Sequence, residues 1–294
     1  MIKAIVAAVP RNVVANEDEA FVKATHVKQR HIAVDGQNTL SLGIAAAERL
    51  LEQMDMDGKA ITTIIFVTQS QHVRMPALAC AVAHKIGANC AAFDINLACS
   101  GYVYGLVLAS VFGGENTLLI AGDCVSQMVD PNEPGTANLF GDCVTATLLG
   151  RGRFISVQLG TDGSGFGALI ADPLIRMDGP EVFSFTLRTV PDLVTQTTMN
   201  SPCDWYLFHQ ANGFILDHLI KKSKLTPAKC PQNIARYGNT SSASIPLLMA
   251  DSAATKSLRE KRNRVAMFGF GAGLSWGGVM LDVGPIKVLE VIEV

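Results

Sequence analysis

Short runs of almost wholly apolar residues alternate along this chain with stretches whose apolar positions recur every three or four residues. ITTIIFVT (61–68) is the clearest of the first kind, and its β-branched content predicts a strand covered on both faces. MIKAIVAAVPRNVV predicts a first strand at the N-terminus, and AAFDINL (91–97), NTLLIAG (116–122), DWYLF (204–208) and VAMFGF (265–270) predict others. NIARYGN (233–239) reads as a short strand and turn. Of the second kind, LSLGIAAAERLLEQ (40–53) places Leu40, Ile44, Ala47 and Leu51 on one helical stripe, with Asn38 or Thr39 as cap. ALACAVAHKIG (77–87) predicts a helix stopped by Gly87. Further helices begin near Cys99, follow His209 with Ile215, Leu216, Leu219 and Ile220 buried, and run through SASIPLLMADSAA (242–254).

Strands alternating with helices predict a layered α/β fold. The order strand, polar turn, helix, strand, glycine-rich turn occurs twice. The chain therefore divides into residues 1–172 and residues 173–294. Identity between the halves is negligible and no low-complexity linker separates them, so one continuous core is expected.

Composition narrows the function. With 49% hydrophobic and 17% charged residues, the 294-residue chain can bury a large core. A formal net charge of −2 argues against a nucleic-acid binder. The apolar zone from about Pro76 to Gly114 is interrupted by His84, Lys85, Asn89, Asp94 and Asn96, so no membrane insertion is expected. The N-terminus lacks the apolar core and cleavage site of a signal peptide. Seven cysteines stand at 80, 90, 99, 124, 143, 203 and 230 with no C-x-x-C pair. That pattern points to no disulfide framework, no metal site and a reducing cytoplasm, with most thiols inert in the core.

Cys99 is the exception to test. It lies between a strand end and a helix start, where free backbone N–H groups and the helix dipole depress a thiol's pKa. The plain alternative is a small buried hydrophobe. His209, in LFHQAN, also ends an apolar run and opens into a helix; alone it reads as a hydrogen-bonded strand-end residue. Asn239, in RYGNTSSASIP, follows a turn-permitting Gly238, and either it or Thr240 could simply cap the next helix. Together, a cysteine, a histidine and an asparagine at strand–helix junctions are the parts for thioester chemistry: nucleophile, base or donor, and orienting donor. FGFGAGLSWGG (268–278) adds a glycine-rich turn whose backbone N–H groups suit an oxyanion. No lysine follows the glycines, so it is not a phosphate-binding loop.

These segments resemble, in order and over nearly the whole length, the thiolase superfamily and specifically 3-ketoacyl-carrier-protein synthase III. RHIA (30–33), AAFDINLACSGYVYGL (91–106), NLFGDCVTATLL (138–149), HQAN (209–212), YGNTSSASIP (237–246) and FGAGLSWG (270–277) carry the likeness. It implies a five-layered αβαβα fold of two similar halves, a homodimer, and decarboxylative condensation of an acyl thioester with malonyl-carrier protein, without metal or redox cofactor. Cys99 would accept the acyl group, and His209 and Asn239 would be its partners. The backbone N–H of Cys99 with that of Ala272 or Gly273 would form the oxyanion hole. Met75, Phe268 and Phe270 would shape the acyl pocket, Met75 from the partner subunit. Lys221 and Lys222 would dock the acidic carrier protein.

The likeness departs in places. The family often has a tryptophan upstream of RHIA; here the region reads NEDEAFVKATHVKQ, with Phe21 the only large aromatic and Lys28 where arginine is common. The segment 172–183 is short. Both departures count against capture of a free coenzyme A donor and favour a starter acyl group that arrives on a carrier protein, though the likeness allows either acyl-CoA or acyl-carrier-protein thioester as substrate. Arg74 could meet a carboxylated starter or simply face solvent. Three other readings remain open: acyl transfer from Cys99 to an alcohol or amine, a non-catalytic partner subunit, and a redox thiol protein, the last disfavoured by the lack of a paired cysteine.

Overall fold

The computed structural model describes residues 1–294. Along the chain run β1 (Ile2–Val9), α1 (Thr39–Met54), β2 (Thr63–Val67), α2 (Leu78–Ile86), β3 (Ala91–Ile95), α3 (Gly101–Phe112), β4 (Thr117–Asp123) and β5 (Cys143–Leu149). There follow β6 (Ser156–Thr161), α4 (Gly179–Thr198), β7 (Trp205–Phe208), α5 (Gly213–Lys222), α6 (Ser244–Ala250), α7 (Ala254–Glu260), β8 (Asn263–Gly271), β9 (Ser275–Val283) and β10 (Val288–Glu293). Helix ends follow local chemistry. Asn38 and Ser41 form a reciprocal capping box on α1, and Gly87 closes α2 in the left-handed conformation.

Two sheets result. The first has order β10-β1-β5-β4-β2-β3, with β2 parallel to both β3 and β4. The second has order β7-β8-β9-β6. Alternation along β2 explains the layers. Ile64 and Phe66 point to one face and pack with Leu42, Leu50 and Val82 of α1 and α2. Ile65 and Val67 point to the other and join Tyr102 and Leu106 of α3, Ile245 and Leu248 of α6, and Val265 and Met267 of β8. On the far face of β8, Ala266, Phe268 and Phe270 meet Phe185 and Leu193 of α4 and Leu216 and Leu219 of α5. The order is helices, sheet, helices, sheet, helices: the five-layered αβαβα arrangement expected above.

Each half gives a strand to the other's sheet: β6 lies in the second and β10 in the first. Residue 172 falls in the turn between the paired short strands Leu169–Ala171 and Ile175–Met177. One element differs from expectation. NIARYGN contains a short helix, Ile234–Tyr237, rather than a strand, because Ile234 and Tyr237 are three residues apart and are buried together. The helix read through 242–254 breaks after Ala250 and resumes at Ala254.

Candidate active site

Cys99 sits in a tight turn, Ala98–Ser100, between β3 and the first residue of α3. Ala98 takes a left-handed φ of 41° to make that turn. The β8–β9 hairpin closes over it. A Cβ at Gly271 would fall 2.9 Å from Cys99 Cβ and 3.3 Å from Sγ, so only glycine lets the strand pass this close. The Ser100 and Ser275 hydroxyls meet at 2.7 Å, and Ser275 donates to the Ala272 carbonyl at 2.7 Å, which pins the hairpin turn to the start of α3. No acceptor in the chain takes up the N–H of Ala272 or of Gly273. Both residues line, with Cys99, a cavity of about 640 Å³.

His209 lies at the end of β7, its backbone N–H donating to the Phe268 carbonyl at 2.8 Å. Its ring is buried, edge-on to Phe270 with centroids 5.4 Å apart, and Nδ1 is 2.8 Å from Ser244 Oγ on α6. Burial lowers its pKa to about 3, so the imidazole is neutral. Asn239 is held at both backbone ends, donating to the Leu139 carbonyl and accepting from Gly141 N–H. Its side-chain oxygen accepts from Ser241 N–H at 3.0 Å and its Nδ2 donates to the Ala211 carbonyl at 3.3 Å. Asn239 thus closes a local turn onto Ser241, with one amide hydrogen left over; neither it nor Thr240 caps the helix that follows, which starts at Ser244 without a side-chain cap.

Ser241 joins the three. It lines the same cavity as Cys99, and its hydroxyl lies against the thiol. Its N–H binds Asn239, and its carbonyl faces the His209 ring. It holds a left-handed φ of 51° to do so. Ser241 carries no mark in the sequence beyond its place two residues after Asn239. A second correction concerns Cys99 itself. The helix-start argument predicted a depressed pKa, whereas the thiol is pushed up to about 12. Burial is the largest cause and the negative Asp123 adds to it; the Ser241 hydroxyl and the Cys99 N–H pull the other way and lose.

The motifs around this centre are scaffolding. Arg30 donates to the Ala137 carbonyl and to Asn16 Oδ1, and His31 stacks on Tyr237 with centroids 5.2 Å apart. Asp142 accepts from the N–H groups of Ala33 and Ser126. RHIA and NLFGDC therefore clamp the segment 139–141 that carries Asn239. Asp123 Oδ1 accepts from Thr68 Oγ1 and from the N–H groups of Gln69 and Ser70, which fixes the cavity wall after β2.

Comparison with known proteins decides the family. Residues 93–163 match the model for 3-oxoacyl-[acyl-carrier-protein] synthase III, and residues 195–283 match that for its C-terminal part. The chain is 33% identical to a beta-ketoacyl-[acyl-carrier-protein] synthase III of Lactococcus lactis, covering 94% of this chain and 96% of that one. It belongs to the 3-oxoacyl-(acyl-carrier-protein) synthase III family. A 3-oxoacyl-(acyl-carrier protein) synthase from Burkholderia xenovorans superposes with a TM-score of 0.94 at 35% identity, covering 100% of this chain and 96% of that one. The priming β-ketosynthase of a polyketide biosynthetic pathway does so at 0.85 and 26%, covering 96% and 95%.

Within that family fold the remaining expected residues scatter. Phe268 is fully buried on the back of β8, stacked on Phe208 at 4.9 Å, and does not line the cavity. The parity of β8 turns it toward α4 and α5, which corrects its placement in the acyl pocket. Phe270 shares that parity and backs the His209 ring instead. The cavity wall is built by Phe140, Phe166, Leu169 and Ile175. Met75 is 84% exposed and outside this chain's cavity. Lys221 and Lys222 are exposed on the last turn of α5, Lys222 donating to the Leu187 carbonyl at 2.7 Å. Cys124, Cys143, Cys203 and Cys230 are buried free thiols. A more polar hollow between Met1, Lys3, Arg262 and Lys287 carries none of the site residues. No helix is long and apolar enough to cross a membrane.

Proposed function

We propose that this family member is an acyltransferase that joins an acyl group held on Cys99 to malonyl-acyl-carrier protein, with loss of carbon dioxide, to give a 3-ketoacyl product. The observation that carries the reading is the convergence on Ser241: Cys99 on the cavity side, His209 and Asn239 behind, and unpaired N–H groups of Ala272 and Gly273 on the same wall.

The Cys99 sulfur attacks the carbonyl carbon of an acyl thioester. Backbone N–H groups of Cys99 and the hairpin turn hold the oxyanion. The donor's C–S bond breaks, its thiolate leaves with the Cys99 proton, and the acyl group stays on Cys99. Malonyl-carrier protein follows. His209 and the spare amide hydrogen of Asn239 donate to its thioester carbonyl. The bond to the carboxylate breaks, carbon dioxide leaves, and the electron pair becomes an enolate held by those donors. The enolate carbon attacks the acyl–Cys99 carbonyl, and the Cys99 thiolate departs and takes a proton from solvent to restore the resting thiol. The neutral, donor-type histidine that burial enforces suits this role better than a base does.

A homodimer fits the surface. β3 is an edge strand, and α3 ends in Val111 and Phe112, 70% and 68% exposed. Unpaired edges and exposed apolar clusters of this kind are covered by a second copy in symmetric dimers. Met75 would then project toward the partner. Lys221 and Lys222 would receive the carrier protein. The test is release of labelled carbon dioxide from malonyl-carrier protein together with a 3-ketoacyl product. Acyl transfer without carbon dioxide would replace condensation by simple transfer.

A further inference from the structure

The buried Ser244 has no place in the steps above, yet its surroundings leave its hydroxyl proton one acceptor. Ser244 Oγ is the first side-chain oxygen of α6, fully inside the middle layer. It has two partners. The Gln210 N–H donates to it at 3.4 Å, and the His209 ring nitrogen Nδ1 lies 2.8 Å away. A backbone N–H can only donate, so toward Gln210 the oxygen accepts. The hydroxyl carries one proton, and no carbonyl or carboxylate in the chain receives it. Its only acceptor is Nδ1.

We infer that Ser244 is the positioning residue that fixes His209 as the tautomer protonated on Nε2, so that the ring presents a hydrogen-bond donor to the reaction centre. A neutral imidazole carries one ring proton. If Nδ1 accepts from Ser244, that proton is on Nε2. The rest of the shell agrees. The Phe270 ring meets the imidazole edge-on and offers nothing to Nδ1, while the Ser241 carbonyl facing the ring is an acceptor. The second nitrogen's partner sets the tautomer in buried histidines generally. Here a hydroxyl does what a carboxylate does where the histidine must become cationic. A carboxylate partner on Nδ1 would favour a proton there and a base at Nε2; a hydroxyl donor favours the reverse. The inference rests on the proposed donor role of His209, though the tautomer itself does not.

The test has two arms. In the first, the protein is labelled with ¹⁵N-histidine and the His209 nitrogens are assigned with a His209→Gln variant. Long-range ¹H–¹⁵N spectra of the parent should show the proton on Nε2, and Ser244→Ala should lose that single-tautomer signature. This needs no turnover, so it reads the inference even if the proposed reaction fails. In the second, Ser244→Ala should slow malonyl decarboxylation by about 10–100-fold, the usual loss on removing an orienting partner, while Cys99 acylates at the parental rate. Ser244→Thr, which keeps the hydroxyl, should restore it and stands in should the alanine variant fail to fold. A parent spectrum with the proton on Nδ1, or decarboxylation in Ser244→Ala within twofold of the parent, overturns the inference.

Discussion

The Asn239 side-chain oxygen accepts the Ser241 N–H at 3.0 Å, which turns the carboxamide so that its nitrogen faces the Ala211 carbonyl with one hydrogen to spare. An amide anchored through its oxygen cannot rotate to offer that oxygen to substrate. It serves as a donor. Loss of one such donor to a developing oxyanion costs about 10²–10³ in rate. His209→Ala and Asn239→Ala should each slow malonyl decarboxylation by that order while Cys99 still takes up an acyl group. Acylation lost with decarboxylation intact would reverse the assignment of roles. The check is parallel measurement of intact mass and carbon dioxide release.

Ionisation gives a second prediction. The Cys99 thiol sits at about 12 and the His209 imidazole at about 3, so at neutral pH the resting pair is uncharged. A raised thiol pKa leaves little thiolate near neutrality, and that fraction grows about tenfold per pH unit below the pKa. Alkylation of Cys99 by iodoacetamide should therefore climb steadily with pH through the alkaline range. A plateau above neutrality would mean a depressed pKa and an ion pair. For His209 the sign is opposite: its folded pKa lies below the ordinary 6.5, so it takes no proton until the pH falls toward 3. Decarboxylation by acylated enzyme should show no inflection near 6.5.

Space around the nucleophile is equally exacting. Gly271→Ala would drive a methyl group to 2.9 Å from Cys99 Cβ and 3.3 Å from its sulfur. Contacts that short must be relieved by moving the thiol or the hairpin. Acylation should fall at least about tenfold, as misplacement of a reacting atom by a fraction of an ångström predicts. Thermal unfolding should shift far less than it does for Phe66→Ala, which empties a core site and costs about 3–5 kcal/mol. Normal acylation in Gly271→Ala would show that the hairpin does not confine the sulfur.

Carrier docking can be separated from chemistry. Lys221 and Lys222 are exposed at the C-terminal turn of α5, away from the cavity lining. Reversing both to glutamate should raise KM for carrier-linked malonyl while leaving kcat and the response to a small thioester unchanged. Added salt should weaken the parent in the same way. An unchanged KM would take the pair out of the docking surface.

Layering and the Cys99, His209 and Asn239 positions were legible in the sequence, because strands buried on two faces and junction residues leave strong local marks. β2 read as a doubly covered strand since Thr63–Val67 alternates faces that are both apolar. Ile234–Tyr237 misled because two apolar residues three apart look alike in a strand and in one helical turn. α4 leaves a weak mark in the sequence, although Asp178 caps it and Pro180 opens it, because Thr and Pro191 dilute its apolar stripe. The family likeness puts Phe268 in the pocket; the parity of β8, invisible without the register, sends it the other way. The thiol pKa is not legible in the sequence because a helix start is local, whereas burial and the Asp123 charge come from the whole fold.

The most direct measurement is acylation of the nucleophile. The protein is incubated with short acyl thioesters, weighed intact and digested to locate the adduct. One acyl group per chain should appear on the peptide carrying Cys99, vanish on adding malonyl-carrier protein as the ketoacyl product forms, and be absent in Cys99→Ala. An adduct on another cysteine, or undiminished condensation in Cys99→Ala, would contradict the account at its centre.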